Sequence, residues 1–122
     1  ILMTQADGLS VLHETVYQNR LSYTKTLRQM GAQIENKKRC LGGTPCRFAN
    51  QDYEHSCIVN GVTQLKGIKM DVPDLRAGFT YLIAALCADG PSEINHVEET
   101  ERGYGRLDKI LKNLGAPIER ID

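Results

Sequence analysis

Gly31-Ala32-Gln33-Ile34-Glu35 returns further along the chain as Gly115-Ala116-Pro117-Ile118-Glu119. Ala6-Asp7-Gly8 likewise returns as Ala88-Asp89-Gly90, and Arg20 stands as far beyond Gly8 as Arg102 stands beyond Gly90. Between the two pairs of matches the register slips by only two residues. Each copy reads as the end of an apolar helix, a strand, an arginine, an amphipathic helix and a second strand. A duplicated unit of this kind packs against its sibling. The arginine falls at the strand-to-helix junction in both copies, where α/β folds expose side chains to ligands.

Working outward, Ile1–Ala6 reads as the last turns of a helix stopped by Asp7-Gly8. A strand is expected from about Ser10 to Tyr17. Tyr23, Leu27 and Met30 mark the buried face of a helix ending at Gly31, and Ala32 to Lys38 reads as a strand. Further strands are expected over His55–Asn60 and Ile68–Val72. The strongest helix signal runs from Asp74, a cap after Pro73, to Asp89, with Leu75, Phe79, Leu82, Ile83 and Leu86 as its apolar stripe. A strand over Ser92–Val97, a helix carrying Tyr104, Leu107, Ile110, Leu111 and Leu114, and a short strand over Ile118–Ile121 complete the pattern. Alternating strands and helices imply an α/β or α+β sheet with helices packed on it. The expected organisation is a single domain over 1–122, with the repeat at about 1–39 and 82–122. A hairpin and an insertion at 40–55 link the copies. Because the first copy starts partway through its helix, a piece of a longer chain is the expected reading.

The 122 residues are 41% hydrophobic and 25% charged, the composition of a folded domain. Lys+Arg and Asp+Glu number 15 each, so no overall positive field gathers nucleic acid or acidic lipid. The run Lys37-Lys38-Arg39 reads as a solvated strand end. No secretory signal is recognised, and the apolar run Leu82–Ala88 is too short to span a bilayer. The four cysteines follow no framework spacing, which fits reduced thiols and a cytoplasmic protein.

Three patterns carry candidate chemistry: Val16-Tyr17-Gln18-Asn19-Arg20, Pro73-Asp74-Leu75-Arg76-Ala77-Gly78 and Glu101-Arg102-Gly103-Tyr104. Each places an arginine or a carboxylate where a helix is expected to start. Amide donors there, with a guanidinium fork beside them, suit phosphate or carboxylate. Helix caps and surface ion pairs are the plain alternative for any one of them.

Taken in order with Thr15, Met30-Gly31-Ala32 and Ala88-Asp89-Gly90, these motifs make the chain resemble the enolpyruvyl transferases. The branch they resemble acts on UDP-N-acetylglucosamine, and the match is to its C-terminal part. The related shikimate-pathway transferases share the fold but match these motifs less well. The resemblance implies repeated βαβαββ units of an inside-out α/β barrel, incomplete here. It implies transfer of an enolpyruvyl group from phosphoenolpyruvate to the 3-hydroxyl of UDP-N-acetylglucosamine, in peptidoglycan synthesis, without a cofactor. It further implies that Val16 and Arg20 contact substrate. Arg102 would hold the phosphoenolpyruvate anion, and Asp74 and Arg76 would form the Asp-Leu-Arg motif at the reacting centre.

The family's aspartate base would fall before residue 1, and its loop cysteine belongs to another domain. Glu101 stands where an aspartate is usual and Gly105 where a glutamate is usual. The chain alone is therefore expected to be inactive and to self-associate through exposed apolar residues at Ile1–Met3. The alternative is a non-catalytic binding or assembly module, zinc-bearing in one version through Cys40, Cys46, His55 and Cys57. Five residues separate Cys40 from Cys46. A hairpin-capping loop containing Gly42-Gly43 and Pro45 is the default reading of this insertion, with no metal assigned. His13 and His96 are read as filling space or capping.

Overall fold

The computed structural model describes residues 1–121, which divide into two compact units, one of Ile1–Lys66 and one beginning at Gly67. The first runs through helix α1 (Leu2–Gln5), strand β1 (Gly8–His13), a 3-10 turn (Arg20–Tyr23), helix α2 (Thr24–Gln29), and strands β2 (Gln33–Lys37) and β3 (Ser56–Gly61). β3 lies between β1 and β2 and is antiparallel to both. Val59 faces Ser10 on one side and Ile34 on the other. Alternation then places Cys57, Val59 and Ile34 in the core, where Leu21, Leu27, Met30 and Leu65 join them. Burying a side chain such as Leu27 contributes about 1.5–3 kcal/mol.

β1 begins earlier and ends sooner than the expected Ser10–Tyr17. The carboxylate of Glu14 accepts the backbone N–H groups of Val16 at 2.7 Å and Tyr17 at 3.0 Å. That side chain turns the backbone out of the ladder, as short-range carboxylate bonds do. α1 is anchored instead to the far end of β3, where the Thr63 amide donates to the Thr4 carbonyl at 2.8 Å.

In the second unit, strands β4 (Lys69–Asp71) and β5 (Glu93–Asn95) are parallel and joined through helix α3 (Leu75–Cys87). Helices α4 (Glu98–Tyr104) and α5 (Leu107–Asn113) follow. The buried face of α3 is Ala77, Gly78, Tyr81 and Ala84. The expected stripe of Leu75, Phe79, Leu82 and Ile83 is half-buried, and Leu86 is exposed. The reason is close approach: a Cβ on Gly78 would fall 1.9 Å from Thr100 Oγ1 and 2.7 Å from Val72 Cγ1. Small residues let α4 sit against α3.

The single expected helix around Tyr104–Leu114 is two helices, because Gly105 adopts φ 65° and ψ −152°. Ile118–Ile121 forms no strand; Arg120 there reaches Glu101 at 2.6 Å.

The repeated Gly-Ala pairs do the same work in both units. Gly31 (φ 102°) and Gly115 (φ 90°) are left-handed residues that close α2 and α5. Their amides donate to Arg28 and Lys112 carbonyls, both at 3.0 Å, and Ala32 and Ala116 donate to Leu27 and Leu111, both at 2.9 Å. Each pair of bonds is a Schellman closure.

Gly78→Ala should therefore destabilise by about 1–3 kcal/mol through overpacking. Gly90→Ala has φ 79° and open space around it, so strain alone should cost about 1 kcal/mol. Urea unfolding of both variants checks the order. A Gly78→Ala chain as stable as the parent would contradict the packing of α4 on α3.

Candidate functional site

Arg20 and Arg102 stand at equivalent places along the repeat, each seven positions past the last residue of its strand, His13 or Asn95. Their local structures differ. Arg20 opens the 3-10 turn after Asn19, which is left-handed at φ 50°. Arg102 lies in the last turn of α4, not at a helix start as expected, and its side chain is exposed. It donates to Glu99 at 2.8 Å. Val16 is exposed on the loop folded by Glu14, with its amide committed to that carboxylate.

Asp74 is the N-cap of α3, its Oδ1 accepting from the amides of Arg76 at 2.9 Å and Ala77 at 3.1 Å. These two amide bonds to one oxygen fix the carboxylate at the helix mouth. Arg76 projects from the exposed side of the first turn.

The structure brings the Asp74-Leu75-Arg76 and Arg102-Gly103-Tyr104 motifs together. Gly103 packs on Leu75 so closely that a Cβ would sit 2.7 Å from Leu75 Cδ1. The next residue, Tyr104, stacks on Phe79 with ring centroids 4.9 Å apart and planes at 22°. One aspartate and two arginines thus share the corner where α3 begins and α4 ends. Their combined character is one anion and two cations, the side-chain types that pair with phosphate or carboxylate oxygens being the two arginines.

Beyond this corner, Glu101 takes both Arg106 at 3.4 Å and Arg120 at 2.6 Å, and Arg106 also reaches Asp108 at 2.5 Å. The guanidinium of Arg106 holds the Asp108 carboxyl well below the usual range. These residues tie α4, α5 and the C-terminal segment together. A cleft of about 1400 Å³ in the second unit is lined by Leu82, Ile94, Val97 and Thr100 among others, and it includes none of Asp74, Arg76 and Arg102. Its walls carry the carboxylates Glu93, Glu98, Glu101, Asp108 and Glu119 against the cations Lys69 and Arg120, a lining that offers little to an anion.

In the first unit a second cluster forms that the sequence only half indicated. His13, Cys40, Cys46 and His55 place their ligand atoms within 4.8 Å of one another. Cys57, expected in that set, lies instead in the core at 2% exposure, and burial pushes its thiol up. His13, read as a space-filler, takes its place. The signal was absent from local spacing, because His13 arrives only through the pairing of His13 with Ser56 across the sheet. The Cys40 thiol is pulled down to about 6 by the Cys46 amide and by His55.

The chain matches the EPSP synthase (3-phosphoshikimate 1-carboxyvinyltransferase) family over residues 2–119 and belongs to that family. A protein of Protochlamydia amoebophila named UDP-N-acetylglucosamine 1-carboxyvinyltransferase is 48% identical over 122 residues, which cover all of this chain and 26% of that protein. The protein of the same name from Chlamydia abortus is 47% identical, covering 99% of this chain and 28% of itself. A Carboxydothermus hydrogenoformans protein named UDP-N-acetylglucosamine 1-carboxyvinyltransferase 2 is 37% identical, covering 98% and 25%. The chain thus spans about a quarter of the length of these relatives. In structure it is similar to the enolpyruvyl transferase NikO from Streptomyces tendae, with a TM-score of 0.75 and 24% identity over 95% of this chain and 23% of the other. The fold is that of part of an enolpyruvyl transferase, as the resemblance implied. Among the described residues, no helix is long and apolar enough to cross a membrane.

Capping and charge at Asp74 separate by substitution. Asp74→Asn keeps a good cap and should leave stability within about 0.5 kcal/mol, while Asp74→Ala should lose about 1 kcal/mol. Thermal unfolding distinguishes them; equal losses would show that the carboxylate charge, not the cap, holds α3.

Proposed function

We propose that this chain is part of a cytoplasmic enzyme that moves the enolpyruvyl group of phosphoenolpyruvate to the 3-hydroxyl of UDP-N-acetylglucosamine. The product would enter peptidoglycan synthesis and so cell-wall growth, cell shape and division. The observation that carries this reading is sequence identity of up to 48%, along the whole chain, to proteins bearing that enzyme's name. The meeting of the two motifs at Leu75 and Gly103 supports it.

In this reading Arg102 grips the phosphoenolpyruvate anion. Its pair with Glu99 is solvent-exposed, and such pairs contribute at most about 1 kcal/mol, so the guanidinium exchanges partners at low cost. Arg76 adds a second cation on the same corner. Asp74, held by two amides, sits ready to orient a hydroxyl or relay a proton. Val16 and Arg20 meet the nucleotide sugar from the loop after β1. Preorganised cations stabilise charge developing as the enolpyruvyl carbon changes hybridisation. The transferase would draw its remaining groups from parts of the enzyme outside these residues, so this chain alone should not turn over.

Arg102→Ala in the complete transferase should cost about 2–4 kcal/mol in the transition state, a fall of roughly 30- to 1,000-fold in kcat/KM for phosphoenolpyruvate. Arg102→Lys should recover only part, since it keeps the charge and loses the fork. Binding of UDP-N-acetylglucosamine, measured by calorimetry, should change far less. Unaltered kinetics in Arg102→Ala would remove Arg102 from the site.

A further inference from the structure

We propose that His13, Cys40, Cys46 and His55 form a structural zinc site that fastens the 40–55 loop to the end of the first sheet. All four ligand atoms lie within 4.8 Å of one another, from three separate stretches of chain. Cys40 Sγ is 3.5 Å from Cys46 Sγ and 3.6 Å from His55 Nε2. Tetrahedral zinc, with bonds of about 2.3 Å to sulfur and about 2.0 Å to nitrogen, separates two sulfurs by roughly 3.8 Å and sulfur from nitrogen by roughly 3.5 Å. The two observed separations lie close to those values before any metal draws the ligands in.

The surroundings are arranged for ligation. His55 is fully buried, and its Nδ1 lies 3.2 Å from the Tyr53 carbonyl. A carbonyl only accepts, so Nδ1 carries the proton and Nε2 presents its lone pair to the cluster. His13 Nε2 is buried and has no hydrogen-bond partner among the described residues, a polar atom that a metal bond would satisfy. Both sulfurs accept backbone amides: Cys46 N–H donates to Cys40 Sγ and Phe48 N–H to Cys46 Sγ, each at 3.3 Å. Such bonds favour the thiolate form that a metal requires.

The donor set also selects the ion. Two thiolates with two imidazoles suit zinc and exclude magnesium and calcium, which take oxygen. Four protein ligands leave no open position for a substrate or water, so the role is structural. The loop needs such a staple. It has no regular secondary structure, and Phe48 is its one side chain in the buried apolar core.

The chain, expressed in zinc-replete medium and purified with reductant and without chelator, should carry about one zinc per molecule by elemental analysis. Cobalt(II) in its place should show thiolate charge transfer and the strong visible bands of a tetrahedral site. Cys40→Ser combined with Cys46→Ser should lower zinc affinity more than about 100-fold, while Cys87→Ser, at an exposed position elsewhere, should leave it unchanged. Because the double variant could fail to fold, the cobalt spectrum of the unaltered chain decides independently. A reduced chain that takes up no zinc on titration would overturn the proposal. So would a cobalt spectrum without thiolate bands, or a Cys40–Cys46 disulfide in the chain as isolated.

Discussion

The double pairing of the strand Ser56–Gly61 is the constraint on which the first unit depends. With β1 on one edge and β2 on the other, its alternation leaves one register that buries Cys57, Val59 and Ile34 together. A slip of one residue would turn each of these side chains to the opposite face. The same register sets His13 opposite Ser56, the neighbour of His55, and brings the two imidazoles to a centroid separation of 5.5 Å. Core and histidine pair therefore stand or fall together. The strand end is locked further by backbone bonds from Glu14 to the His55 carbonyl at 2.8 Å and from His55 to the Lys37 carbonyl at 3.1 Å.

Features set by a few neighbouring residues were legible in the sequence. Asp74 after Pro73 caps α3 as its position implies, and the repeated Gly-Ala pairs end helices by the same two bonds in both units. A left-handed residue needs only glycine and the preceding turn to be recognised. Features that depend on tertiary pairing were not legible. Residues near in number offer Cys57 as the fourth member of the candidate ligand cluster; the structure supplies His13 from a strand forty-two residues before His55. Likewise the helix around Tyr104–Leu114 looks continuous by its apolar spacing, and only the φ/ψ of Gly105 shows the break that shifts Arg102 into the end of α4.

That shift changes how the arginine works. At a helix start, Arg102 would add its charge to unpaired amides; in the last turn it acts without them and beside Glu99. The amide donors come instead from α3, where they are spent on Asp74. The corner therefore separates two tasks that the sequence pattern had merged. Amides position the carboxylate, and the guanidinium groups are left to side-chain contacts.

The zinc site and the loop bearing Val16 and Arg20 meet at one residue. His13 ends β1, and the backbone that leaves it turns at once on the Glu14 carboxylate to present Val16. A loop positions side chains only as well as its root is fixed, since exposed connections are the most mobile part of a fold. In this unit the root is a strand end carrying a half-buried imidazole whose Nε2 has no hydrogen-bond partner among the described residues. An apolar side chain at position 13 would satisfy packing but could not tie β1 to the 40–55 loop. Metal ligation of the kind proposed would fix both segments through one centre, and would also stiffen the base of the loop that bears Val16 and Arg20.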